Sequence, residues 1–350
     1  MITKIIMDRQ NEIIKTFDDT NGFSTRTRFK LNGKKVRLLP NKEDSFMTSF
    51  PDLIDIGIMG KCANTENCKI GCYQGQKSKG QNMSIDDYTN LMKQCKSKVF
   101  QVALGGAGSP DEHESFEEIL RITREYGIVP SYTTSGICFN DHTARLTKEL
   151  CGAVAVSWYK QDCTIPAING FIAAGCETNI HFVLGKSSIQ EAIDMLIGNI
   201  VLPKINALIF LTHKPVGCGS KDEVLDMVRD VHLLNIFVKA MGCKMPFKIG
   251  FAPCIAPIFV KFKVDIDPTF FDTCEGSRYS CYIHNDMTMA PCSFDKQATH
   301  ACDLRKMTIK QAWDSQQFED FRKSLRVGCP SCYGNSMCMG GCPLFERKCK

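Results

Sequence analysis

The sequence predicts an α/β protein. A partial (βα)₆ TIM-like barrel is expected at residues 52–267, with an N-terminal hairpin segment at 1–51 and a small cysteine-rich C-terminal domain at 268–350. Two observations carry the barrel. Short apolar runs of strand length recur between Leu53 and Phe251, and amphipathic stretches of helix length separate them, which is the pattern of βαβ units and a parallel sheet. A third observation sets the last domain apart: the alternation stops near Pro268, and cysteines crowd the remainder.

In chain order, Phe17 to Phe23 reads as a hairpin with Asn21-Gly22 as its turn signal. Strands are expected at Leu53–Ile58, Val99–Leu104, Ile128–Tyr132, Ala153–Trp158, Asn179–Leu184, Ala207–Leu211 and Phe247–Phe251. The first helix opens at Ser84, which precedes Asp86 and Asp87 as a capping residue does. Phe116, Ile119, Leu120 and Ile122 share one helical face over Phe116–Tyr126. Further helices are expected at Asp141–Leu150, Ile165–Ala174, Ser188–Ile197 and Lys221–Met241. The last domain offers a strand near Tyr279–His284 and one helix over Thr308–Leu325. Its apolar content looks too small for a core of its own, so metal clusters are expected to hold it together.

Composition excludes several classes of function. A net charge of +5 without any basic run argues against nucleic acid as a partner. No stretch reaches the roughly eighteen apolar residues that span a bilayer, since Ile249–Val260 is broken by Pro253 and Pro257. Asp8 comes too early for a signal peptide, so the expectation is a cytoplasmic protein with no membrane partner. In a reducing compartment, twenty cysteines point to metal binding or catalysis rather than to disulfides. Nine of them, Cys254 among them, are isolated in the sequence and are expected to pack as small hydrophobes.

The clustered cysteines carry the chemistry. Cys62, Cys68 and Cys72 follow the first barrel strand with the spacing C-x₅-C-x₃-C. Three thiolates on one loop can hold three corners of a cubane and leave the fourth iron open, as a reactive metal site requires; a zinc loop uses the same residues. Active sites of both barrels and doubly wound sheets lie at the C-terminal ends of the strands. Gly105-Gly106 ends the second strand and allows close approach of a ligand to the backbone, or simply a tight turn. Ser135 ends the third strand, and Ser157, Asn179 and His181 end or line the next two, so polar residues form a rim fit for a cofactor. At the C-terminus, Cys329, Cys332, Cys338 and Cys342 form C-x₂-C-x₅-C-x₃-C, followed by Cys349 and preceded by Cys274, Cys281 and Cys292. These eight suffice for two four-iron clusters, or for two zinc sites.

The three clustered cysteines with Tyr73 after the last, and Gly105-Gly106 after the next strand, resemble the radical S-adenosylmethionine (SAM) superfamily. The C-terminal string resembles its SPASM extension, an auxiliary iron–sulfur domain. The resemblance implies a catalytic [4Fe-4S] cluster on Cys62, Cys68 and Cys72, with SAM on its open iron. Tyr73, Gly105, Gly106 and Ser135 would lie at the cofactor. It also implies two auxiliary [4Fe-4S] clusters. Cys274, Cys292 and Cys342 would hold the first, with Cys281 as a further candidate, and Cys329, Cys332, Cys338 and Cys349 would hold the second. If Cys281 is not a ligand, an iron stays open to which a substrate thiolate could bind. The chain departs from the family in the longer cysteine loop and in Gly105-Gly106-Ala107-Gly108-Ser109-Pro110, where the family reads Gly-Gly-Glu-Pro. It departs again at Met287, which occupies the SPASM glycine position.

The resemblance implies an enzyme that generates a 5′-deoxyadenosyl radical to modify a ribosomally made peptide or a protein, with thioether or carbon–carbon cross-linking favoured. An external electron donor of the flavodoxin or ferredoxin type would serve it. Sulfatase-maturase-like oxidation of a Cys or Ser side chain is the alternative, but that subgroup has an aspartate where Ser293 follows Cys292. A non-enzymatic iron–sulfur or zinc protein is the reading from a different class.

Overall fold

The computed structural model describes residues 4–8, 10, 13–18, 23–32, 35–39, 46–63, 71–75, 79–159, 161–265, 273–325 and 338–345. Cys68, Cys329, Cys332 and Cys349 lie outside the described residues.

The N-terminal segment is more than a hairpin. Strands β1 (Lys4–Asp8), β2 (Ile13–Asp18), β3 (Phe23–Asn32) and β4 (Lys35–Leu39) form an antiparallel sheet in that order. The expected β2–β3 hairpin is its centre, although the Asn21-Gly22 turn lies outside the described residues. Phe17 of β2 stacks on Phe100 with ring centroids 5.4 Å apart, and Lys15 pairs with Asp52. Both Asp52 and Phe100 lie just ahead of barrel strands, so this sheet docks at the end of the barrel opposite the functional rim.

Seven parallel strands follow: β5 (Leu53–Met59), β6 (Gln101–Gly106), β7 (Val129–Thr134), β8 (Ala153–Ser157), β9 (Thr178–Leu184), β10 (Ala207–Thr212) and β11 (Lys248–Phe251). They pair in sequence order, each with the next. The crossovers are α1 (Ile85–Cys95), α2 (Phe116–Glu125), α3 (Asp141–Leu150), α4 (Gln161–Ala173), α5 (Ile189–Leu196) and α6 (Val231–Ala240). Six βα repeats thus end in a short seventh strand. Local chemistry sets the helix starts as expected at Ser84, whose hydroxyl accepts from the Asp87 amide at 3.1 Å. The stretch expected as one helix from Lys221 to Met241 is cut short: Asp226 Oδ1 accepts from the Val228 and Arg229 amides, and the helix begins only at Val231.

Side chains alternate across each strand. Ile54, Ile56 and Ile58 of β5 are fully buried in one apolar core with Tyr88, Leu91 and Met92 of α1. Asp55 and Gly57, and farther round Ser131, Thr133, Ser157, Asn179 and His181, take the other face and line a polar lumen.

The C-terminal part shares its core with the barrel. Strand β12 (Ser280–Ile283) adds to the barrel sheet, parallel to β5, and β13 (Thr288–Ala290) and β14 (Cys302–Asp303) continue it antiparallel. The helix expected over Thr308–Leu325 is two helices, α8 (Ile309–Trp313) and α9 (Gln316–Leu325), after α7 (Ala256–Lys261) earlier in the chain. Trp313 and Phe318 are fully buried and belong to the same core as the barrel. Arg322, 2% exposed, donates to the carbonyls of Ser277 and Trp313 at 2.6 Å and stacks on the Trp313 ring. Met287 has φ +69°, a left-handed conformation that costs a residue with a Cβ about 1–2 kcal/mol. The glycine of the SPASM pattern is thereby explained. Here the buried Met287 side chain offsets the strain by packing in the core.

Candidate functional site

The mouth of the barrel is built by the loops at the C-terminal ends of the strands. Cys62 and Cys72, both half-buried, stand on the loop after β5. Hydrogen bonds tie this loop to its neighbours. Glu112, in the short turn Pro110–Glu112 after β6, accepts from the Ala63 backbone, and the Cys218 amide donates to the Cys72 carbonyl at 2.9 Å. The two strand ends meet closely where Gly106, at φ +132°, lies against Met59. A Cβ on Gly106 would stand 2.5 Å from the Met59 carbonyl oxygen, so only glycine fits.

The rim holds polar groups that await a partner. A Cβ on Gly105 would meet nothing within 4 Å, so the lumen is open beside it. Ser109 and Ser135 join their hydroxyls at 2.9 Å. Asp111 Oδ2 accepts from Thr134 at 2.9 Å, but Asp111 Oδ1 and Glu112 Oε2 are buried with no hydrogen-bond partner among the described residues. Burial pushes the Asp111 carboxyl up to about 6 and raises Glu112 as well. Orphaned buried carboxylate oxygens fit a ligand that brings its own donors, such as an amino group and ribose hydroxyls. Sequence reading missed these two acids because they follow Pro110, whereas the family pattern places its glutamate before the proline.

Ser157 and Asn179 lie on adjacent strands of the lumen wall, the latter fixed by Asn206 at 2.9 Å. His181 sits between them and Thr133, whose hydroxyl is 3.3 Å from Nδ1. Burial lowers its pKa to about 4, so the ring is neutral.

Tyr73 ties the loop after β5 to the C-terminal part. Its ring lies 4.8 Å from that of Phe294, and Lys296 Nζ donates to Gln74 Oε1 at 2.6 Å. Gln74 in turn donates to the Tyr282 hydroxyl at 3.1 Å. Asp55 is paired in register with Tyr282, and burial, with Glu275 nearby, pushes its carboxyl up to about 7. A titratable carboxyl therefore stands beside Tyr282 and near Tyr73.

Among the described thiols, Cys274, Cys292 and Cys342 come together as expected. Burial pushes the Cys274 thiol well up, and the neighbouring sulfurs of Cys254, Cys292 and Cys342 add to it. Cys292 is likewise pushed up to about 12 by burial. Cys281 does not join them. Its β-strand neighbours alternate, so Tyr282 takes the lumen side and Cys281, in register with Ile54, faces the helix layer beside Cys95. Cys338 is buried with its carbonyl bonded by Thr273 at 2.9 Å. The other residues expected around it lie outside the described residues. No three His, Cys, Asp or Glu side chains among the described residues are close enough to hold a single metal ion.

The SPASM family, an iron–sulfur cluster-binding domain, matches residues 274–338. No curated protein matches the chain in sequence. Among solved structures, SuiB of Streptococcus suis aligns over 99% of both chains at 14% identity and a TM-score of 0.68. SuiB bound to S-adenosylmethionine aligns over 86% of this chain and 77% of its own, at 18% identity and a TM-score of 0.66. The enzyme anSMEcpe, solved with AdoMet and the Kp18Cys peptide, aligns over 83% of this chain and 89% of its own at 17% identity, with a TM-score of 0.59. The partial barrel with a C-terminal iron–sulfur domain is thus the fold of both. No helix among the described residues is long and apolar enough to cross a membrane.

Proposed function

We propose that this SPASM-containing chain is a radical SAM enzyme that modifies a ribosomally made peptide or a protein, with thioether or carbon–carbon cross-linking as the reaction. One observation carries the reading. The loop of Cys62 and Cys72 meets the segment that follows Cys292 through the rings of Tyr73 and Phe294, 4.8 Å apart. Cys62, Cys68 and Cys72 would hold the catalytic cluster, which together with SAM would supply the radical chemistry. The chain's own residues do the rest. The Gly105-Gly106 edge and the Asp111 and Glu112 carboxylates receive the cofactor's polar groups, with Ser135 at the same rim. The neutral His181, with Ser157 and Asn179, lines the floor of the lumen.

Asp55 and Tyr282 face the lumen side by side on adjacent strands below the loop of Cys62 and Cys72. Asp55, with its carboxyl near 7, would hold the proton released when a thiol or hydroxyl of the substrate becomes a nucleophile. That placement gives a carboxylate to a site in which Ser293 replaces the aspartate of sulfatase maturases. SuiB has been solved with its precursor peptide SuiA, which supports a peptide as the substrate class here. An external flavodoxin- or ferredoxin-type donor would supply the electron. The test is anaerobic incubation of reduced holoprotein and SAM with the short peptides encoded beside its gene, followed by mass spectrometry. A loss of two hydrogens with a new internal linkage supports the reading. Products that differ from the substrate by simple side-chain oxidation favour the maturase alternative.

A further inference from the structure

We propose that the loop after β10, residues 213–220, is a rigid clasp that seats the third cysteine of the cluster loop through its backbone, with Gly217 as the positioning residue. The purpose given to the clasp rests on the cluster-binding role proposed above for Cys62, Cys68 and Cys72; its geometry does not.

The clasp is closed on itself before it touches the cluster loop. His213 Nε2 donates to the Ser220 carbonyl at 2.9 Å and joins the two ends. Inside that ring, the Val216 amide donates to the Lys214 carbonyl and the Gly219 amide to the Val216 carbonyl, each at 2.9 Å. The base is anchored to the neighbouring strand, where the His213 amide donates to the Leu184 carbonyl at the end of β9, also at 2.9 Å. Bonds at the ends and in the middle remove most of the freedom that a surface loop keeps, so this knuckle can serve as a fixed stop.

Gly71, Cys72 and Tyr73 lie directly on the knuckle. The Cys218 amide donates to the Cys72 carbonyl at 2.9 Å, and the Gly75 amide donates to the same oxygen at 3.0 Å. A Cβ on Gly217 would stand 2.5 Å from the Tyr73 carbonyl oxygen and 2.6 Å from that of Cys72, and its φ of +63° already disfavours a side chain. From the other side, a Cβ on Gly71 would come within 3.3 Å of the Cys218 carbonyl oxygen. Backbone thus meets backbone with no side chain between, which fixes the main chain of Cys72 and with it the root of its thiol. The need for such a stop follows from the sequence. The spacing C-x₅-C-x₃-C gives this loop more residues to order than the family spacing does, and each costs entropy to fix.

Amide exchange of the reduced, metal-free, full-length protein reads the clasp directly, and anaerobic reconstitution with ferrous iron and sulfide reads its effect on the cluster. In Gly217→Ala the Gly75 and Cys218 amides should exchange about tenfold faster or more, with β8 and β9 protected as in the parent. Gly198→Ala is the control for backbone strain, since Gly198 has φ +84° with nothing within 4 Å of a Cβ, and it should leave those two amides unchanged. Cys218→Ala keeps the amide and should leave them unchanged too. Reconstituted Gly217→Ala should hold about eight iron instead of about twelve, and its EPR signal should not respond to SAM; both controls should hold about twelve and respond. Parental exchange in Gly217→Ala overturns the clasp, and full iron with a parental response to SAM removes its positioning role. A change in Cys218→Ala transfers the role to the thiol and overturns the backbone account. If Gly217→Ala does not fold, Gly71→Ala decides, with a smaller change in the same direction expected and no change overturning the proposal. A parent that binds no iron sinks the cluster reading, and the exchange result then decides the clasp by itself.

Discussion

Asp55 makes folding stability depend on pH in a direction opposite to most carboxylates. Its ordinary value of 3.8 rises to about 7 in the fold, chiefly through burial and then through Glu275. The folded chain keeps a proton that the unfolded chain releases, so the stability is fully present below about pH 4 and is lost as pH rises through about 7. The whole shift is worth about 4 kcal/mol at 1.4 kcal/mol per unit. Of this, the part lost between pH 5 and pH 8 is about 2.6 kcal/mol, and the half-buried position of the side chain lowers it to about 2 kcal/mol. Asp55→Asn stays neutral throughout. Anaerobic urea unfolding, followed by the fluorescence of Trp158 and Trp313, should show the variant gaining about 2 kcal/mol on the parent between pH 5 and pH 8. Parallel pH profiles for the two proteins would refute the argument and remove Asp55 as a proton-holding group.

Four further outcomes follow from particular contacts. Gly57→Ala places a Cβ 2.2 Å from the Tyr282 hydroxyl and should destabilise by about 1–3 kcal/mol in thermal unfolding, with partial recovery in the double variant with Tyr282→Phe. Arg322→Met leaves the Ser277 and Trp313 carbonyls unpaired and should cost about 2–4 kcal/mol; a change within 0.5 kcal/mol would contradict the role assigned to it. Met287→Gly relieves a left-handed strain of about 1–2 kcal/mol but empties a buried position worth about 2–5 kcal/mol, so the net effect should be destabilising, and a rise in melting temperature would reverse that balance. After chelation of the iron, β12 and α9 should keep their amide-exchange protection, because their core is shared with the barrel; loss of that protection would return the C-terminal part to dependence on its clusters.

Much of this was legible in the sequence. The barrel strands announced themselves because βαβ units bury both faces of the sheet edge to edge, and runs such as Leu53–Ile58 record that burial directly. Lys221–Met241 was misread because helical periodicity does not register an aspartate side chain, here Asp226, that caps the chain into a turn. The core of the C-terminal part was underestimated because β12 is only four residues long and gains its stability from β5, more than 200 positions away in the chain. Cys281 shows the same limit at the site. Proximity in sequence favoured Cys281, but strand alternation turns it to the helix layer. Asp111 and Glu112 could have been found by their position at a strand's C-terminal end, had the shift past Pro110 been allowed for.

The central claim is that Cys62, Cys68 and Cys72 hold a cluster that cleaves SAM. Its most direct test is 5′-deoxyadenosine formation by the anaerobic, dithionite-reduced holoprotein, compared with the protein in which all three cysteines are alanine. The holoprotein should bind about twelve iron and form 5′-deoxyadenosine, and the triple variant should retain about eight iron and form none. Cleavage that survives in the triple variant, or a colourless zinc-bearing holoprotein, would contradict the account.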